Sequence, residues 1–99
     1  MNQHFNTKTV EAAIRVAIVN PNEYIYINGK RSKNRLAVRY FKKNGNLVIV
    51  NVISEFFNAY EELMSFDISA PMKKQRSISK WVGNMAELFC DWYREDYAA

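Results

Sequence analysis

Residues 35–54 read RLAVRYFKKNGNLVIVNVIS, two stretches rich in β-branched and aromatic residues on either side of Asn44-Gly45. A type I′ turn needs positive φ at both central positions, and Asn-Gly is the pair that meets this most readily, so the stretch predicts an antiparallel hairpin. If the turn holds two residues, Lys43 faces Asn46, and the ladder sets Arg39 opposite Val50 and Val38 opposite Asn51. One face then carries Ala37, Arg39 and Phe41 with Val48, Val50 and Val52. The other carries Leu36, Val38 and Tyr40 with Leu47, Ile49, Asn51 and Ile53. Both faces are mostly apolar, so both should be covered at least in part.

The elements around the hairpin follow from hydrophobic period. Val10, Ala13, Ile14, Ala17 and Ile18 recur at helical spacing and predict a helix over 7–19, capped by Asn6 or Thr7 and stopped at Asn20-Pro21. EYIYI, 23–27, predicts a further strand. EFFNAYEELMS, 55–65, fits either a helical face or a fourth strand. SAPMKKQRS, 69–77, reads as a basic connector. Over 78–96, Trp81, Met85, Leu88, Phe89 and Trp92 share one side and Glu87, Asp91, Arg94 and Glu95 another, as in an amphipathic helix whose aromatic stripe packs on the sheet. The expected fold class is α+β: an N-terminal helix, a three- or four-stranded antiparallel meander and a C-terminal helix on the sheet.

Composition narrows the functional classes. With 99 residues, 48% of them hydrophobic, three Gly and two Pro, the chain suits a single folded domain and not a disordered or low-complexity segment. No run approaches the ~20 apolar residues of a membrane span, and no signal-peptide core is visible, so a soluble, cytoplasmic protein is expected, with export by another route left open. Cys90 is the sole cysteine; it reads as a buried structural thiol. One His and one Cys give no zinc spacing, and three scattered glycines make no phosphate loop, so neither metal nor cofactor is expected.

The net charge of +4 is unevenly placed. Residues 28–45 hold seven Lys or Arg and no acid, and 55–67 hold four acids. Lys30, Arg31, Lys33, Arg35, Lys42 and Lys43 flank the central strand, where they can neutralise phosphates of a nucleic acid. Tyr24, Tyr26, Tyr40 and Phe41 interleave with them and can stack bases. The plain alternative is a solvated rim that protects a sheet edge. Arg39 differs, being a charge on a face of Ala, Phe and Val. Either its stem packs with the head in solvent, an acid pairs with it, or the face is open to an anion.

Metal-free RNA cleavage asks little of a protein, because the substrate's own 2′-hydroxyl is the nucleophile. A base, an acid and groups that stabilise charge on phosphate suffice. His4 can act as acid or base near neutral pH, Arg39 and Lys8 as charge stabilisers and Tyr60 as a positioning donor.

His4, TVEAAIRVAIVNPNEYIYING, NRLAVRYFKKNGNLVIVNVIS and FFNAYEE occur in that order. In this arrangement the run from His4 to about residue 62 resembles the phage and polymorphic-toxin branch of the barnase, EndoU, colicin and RelE-like ribonuclease superfamily. The resemblance implies a small toxin-like endoribonuclease acting without metal, with RNA as partner and a protein antidote or macromolecular target possible. Asn58 stands where that pattern has Thr or Ser, which joins it to His4, Lys8, Arg39 and Tyr60 as a site candidate. The rival expectation is a non-enzymatic phage or mobile-element protein that binds nucleic acid through the basic sheet edge, or a basic partner through the acidic C-terminal helix. The order helix, three strands, helix also invites comparison with a double-stranded-RNA-binding domain. The acids Glu55, Glu61 and Glu62 would then stand where that fold needs lysines, so this comparison ranks low.

Overall fold

The computed structural model describes residues 6–27, 34–41, 47–54, 59–68 and 78–97. Helix α1 spans Thr7–Val19, followed by strands β1 (Ile25–Tyr26), β2 (Asn34–Phe41), β3 (Leu47–Ser54) and β4 (Ala59–Asp67), then helix α2 (Ile78–Trp92), which ends in a wider π-type turn over Tyr93–Tyr97. The strands form one antiparallel sheet in the order β1-β2-β3-β4. The α+β architecture read from the sequence is the one observed, and the ambiguous 55–65 region contributes a fourth strand.

Local chemistry sets the limits of α1. The Asn6 side chain accepts from the Thr9 backbone N–H at 3.0 Å, and the Asn6 N–H donates to Thr9 Oγ1 at 3.3 Å, a reciprocal cap worth about 1 kcal/mol. At the other end Asn20 Nδ2 donates to the Val16 carbonyl, and Pro21 cannot continue the helix. Asn22 then takes φ 70°, a left-handed conformation that asparagine tolerates better than most residues. Its N–H bonds the Tyr40 carbonyl at 2.9 Å. That bond seats the chain against β2 just ahead of β1.

The hairpin ladder differs from the two-residue expectation by one position. Phe41 pairs with Leu47, Arg39 with Ile49, Val38 with Val50 and Ala37 with Asn51. The turn, 42–46, lies outside the described residues. Because side chains alternate with period two, a shift of one residue exchanges the two faces of β3 relative to β2. The expected ladder would have put Asn51 beside Val38 in the core. The observed one puts Val50 there and moves the amide to the other face, so burial of an apolar row outweighs the preference for the tightest turn.

Both helices cover the same face of the sheet, and on the other face Ala37 and Asn51 are buried as well, so each face gains cover in part, as expected. Val10, Ala13, Ile14 and Ala17 of α1 join Leu36, Val38, Tyr40 and Val50 in one buried cluster with Val82, Ala86, Phe89 and Cys90 of α2. Phe66 of β4 meets Trp81 edge to face at 6.4 Å between centroids. The aromatic stripe expected of α2 is thus partly corrected. Phe89 is buried and Trp81, Met85 and Trp92 half-buried, but Leu88 is 52% exposed, and the smaller residues Val82, Ala86 and Cys90 are buried alongside Phe89. Among the described residues no helix is long and apolar enough to cross a membrane.

Cys90 is buried, 3% exposed, and burial pushes its thiol up from the ordinary range, opposed in part by a hydrogen bond with Thr7. The thiolate is the reactive form, so alkylation by iodoacetamide is expected to be at least about a hundredfold slower in the native protein than in denaturant, since reaction waits for opening of the core. Equal rates, read by mass spectrometry, would show that α2 is not docked.

Candidate nucleic-acid interface on the open sheet face

The face of the sheet turned away from the helices is built by residues of odd number on β2. Arg35, Ala37, Arg39 and Phe41 project there, while Leu36, Val38 and Tyr40 enter the core. On β1, Tyr26 pairs with Ala37 and Ile25 with Val38, so Tyr26 joins the open face and Ile25 the core. Reading across the strands, one row runs Tyr26, Ala37, Asn51, Glu62 and the next runs Arg39, Ile49, Ser65.

Aromatic rings hold both arginines of this face. The Arg39 guanidinium carbon lies 4.6 Å from the Phe41 ring centroid and 5.0 Å from that of Tyr24, and Nη1 donates to Tyr24 Oη at 3.2 Å. The Arg35 guanidinium lies 5.1 Å from the Tyr26 ring. Each cation–π contact is worth roughly 0.5–1 kcal/mol where solvent has access. Their larger effect is on geometry, because a planar fork pinned between rings has little rotamer freedom left to lose on binding. Among the described residues no carboxylate pairs with Arg39. Of the three readings open for it, an acid partner is therefore not what these residues show. Among the described residues one of its five N–H donors is engaged, by Tyr24, a geometry compatible with holding an anion.

Asn51 occupies the middle of the face and is 9% exposed, with Oδ1 buried and without a hydrogen-bond partner. Leaving a buried acceptor unsatisfied costs about 1–3 kcal/mol. Beside it the β3–β4 ladder slips. Val50 pairs with Met64 but Asn51 with Glu62, leaving Leu63 as the extra residue of a β-bulge. Without the bulge Asn51 would oppose Leu63; with it, the Glu62 carboxylate joins the row of Asn51, and both Leu63 and Met64 pack against the core.

The other site candidates are distributed as follows. His4, Lys30, Arg31, Lys33, Lys42, Lys43 and Asn58 lie outside the described residues. Lys8 is exposed on α1, where it lines a shallow groove of about 300 Å³ with Glu11, Ala12 and Arg15. That groove belongs to the helical layer, on the far side of the sheet from Arg39. The Tyr60 backbone pairs with Ile53, which pairs with Arg35. Strand spacing and rise set Tyr60 about 16 Å from Arg39 but only about 10 Å from Arg35, backbone to backbone. The structure thus brings Arg35 and Arg39 to one surface with Tyr24, Tyr26 and Phe41. It does not bring Lys8 or the backbone of Tyr60 to Arg39. Tyr40, expected among the stacking aromatics, is 2% exposed in the core, and burial raises its hydroxyl pKa.

Of two features of the face that were not anticipated, one was visible in the sequence and one was not. Arg35 shares the side of Arg39 by simple parity, a signal present in RLAVR. Asn51 and Glu62 come together only through the observed ladder and the bulge. No family model, curated protein or solved structure matches the chain.

Proposed function

We propose that the chain is an RNA-binding module of the cytoplasm that takes single-stranded RNA on the open sheet face. The observation that carries this reading is Arg39, a guanidinium fixed between Tyr24 and Phe41 on a face that no described helix covers, with no described carboxylate to neutralise it. A fixed, unneutralised fork is built for phosphate, and flanking rings offer stacking to bases whatever their identity. Arg35, 5.1 Å from the Tyr26 ring, is a second ring-held guanidinium on the same strand. The basic stretch Lys30 to Lys33 and the pair Lys42 and Lys43 add charge at either end of β2 in sequence, extending the same attraction.

Metal-independent cleavage by 2′-hydroxyl attack is the activity such binding would serve. The described residues support the phosphate-holding part of it through Arg39 and Arg35; His4 as acid or base and Tyr60 as positioning donor are its sequence-derived partners.

The test is a titration of a labelled single-stranded RNA decamer followed by fluorescence anisotropy at several salt concentrations. Wild type is expected to bind with affinity that falls as salt rises, by roughly 0.7 in log–log slope per phosphate contact. Arg39→Ala is expected to weaken binding about tenfold or more, and Arg39→Lys to recover only part of it, since a point charge does not reproduce the fork. Binding that is absent at low salt, or unchanged in Arg39→Ala, overturns the reading. The same samples, incubated with EDTA and probed for 2′,3′-cyclic phosphate ends, report whether cleavage accompanies binding; loss of those ends in His4→Ala would assign the acid–base role.

A further inference from the structure

We infer that Asn51 is the contact point of a nucleotide subsite between the two arginine–aromatic pairs, its Oδ1 accepting a hydrogen bond from the ribose 2′-hydroxyl or from an exocyclic amine of a base; this rests on the RNA-binding reading above. Three observations converge on the position. Asn51 pairs with Ala37, and Ala37 stands on β2 midway between Arg35 and Arg39, so the amide is centred between two guanidinium anchors. Its Oδ1 is buried and has no partner among the described residues, on the face of the sheet turned away from the helices, where the neighbouring Ala37 is wholly buried too. The bulge after Val50 sits beside it and turns Glu62 onto the same row, and bulges re-aim side chains in this way next to binding sites.

The chemistry follows from those facts. An acceptor shielded from water forms a stronger and more discriminating hydrogen bond than one on a wet surface, and it rejects a ligand that lacks the donor. Glu62 is exposed, so its flexible side chain can give way as a nucleotide enters. A leucine at position 51 would keep the branching and heavy-atom count of the side chain, with somewhat greater volume, and carry no orphan acceptor. The amide therefore lowers stability in the free protein, and a bound donor restores what it lowers.

This predicts opposite signs for stability and binding, which a purely structural amide would not give. Asn51→Leu is expected to raise the melting temperature by about 4 °C or more while weakening binding of single-stranded RNA about three- to tenfold. Decamers of one cytidine-free sequence in ribo and deoxyribo form, and the same ribo decamer with inosine and purine riboside in place of guanosine and adenosine, identify the donor. If the 2′-hydroxyl donates, wild type prefers RNA over DNA and Asn51→Leu loses that preference. If a base amine donates, wild type discriminates against the amine-free decamer and the variant does not. Should the leucine variant fold poorly, Asn51→Ala carries the same comparison of ratios. A variant that binds all three oligonucleotides in wild-type proportion overturns the inference while leaving RNA binding intact; a wild type that binds no RNA overturns both.

Discussion

Phe89→Ala is expected to leave the protein substantially unfolded at physiological temperature. Phe89 is wholly buried on α2 between the helical layer and the sheet, with ring centroids of Trp92 and Tyr93 each 5.9 Å away. Removing a buried phenylalanine costs about 3–5 kcal/mol, as lost transfer energy and as a cavity that neighbours only partly fill. A domain of this length has only about 5–10 kcal/mol in total, so such a loss consumes half or more of it. The adjacent Leu88, 52% exposed, is the internal control, since Leu88→Ala should change stability by no more than about 0.5 kcal/mol. Urea unfolding followed by circular dichroism gives both values. Equal effects at 88 and 89 would mean that α2 is rotated from the position described.

The second large effect separates the observed ladder from the one that a two-residue turn would give. Val50 is fully buried and pairs with Val38 and Met64, whereas its neighbour Ile49 is half-buried and pairs with Arg39 and Ser65. Val50→Asp places a carboxylate among apolar side chains and is expected to abolish folding, at a cost above about 4 kcal/mol. Ile49→Asp places it opposite Arg39 on the open face, where opposite charges across strands attract by roughly 0.2–1 kcal/mol, and is expected to leave a folded protein. On the proposed RNA-binding reading, the same substitution should also suppress binding, because the new carboxylate would occupy the Arg39 guanidinium. The reverse order of tolerance, measured as soluble yield and thermal transition, would restore the ladder in which Val50 shares the face of Arg39.

These two experiments bear on what was legible in advance. Helix α1 was readable to the residue because its determinants are local: apolar spacing, Asn6 before the first turn, Pro21 after the last. The strands flanking Asn44-Gly45 were readable for the same reason. Arg39 stood out in sequence as a charge among apolar neighbours, and the basic clustering from Lys30 to Lys43 pointed to a polyanion. Tyr24 and Phe41 were named as stacking residues; that they would grip Arg39 itself was not, because a guanidinium–ring contact depends on strands that pair through space.

The sequence by itself determined the element types outside 55–65, the antiparallel hairpin and the concentration of positive charge about β2, since periodicity, turn chemistry and composition act within a few residues. Only the tertiary structure decided which face of each strand is which. Faces follow from register, and register is chosen globally, by the apolar row that the helices can bury. That choice sent Val50 inward and Asn51 outward, and the bulge at Leu63 then brought Glu62 beside the amide. The open face, with its ring-held arginines and unsatisfied Asn51, is thus a product of packing on the opposite side of the sheet.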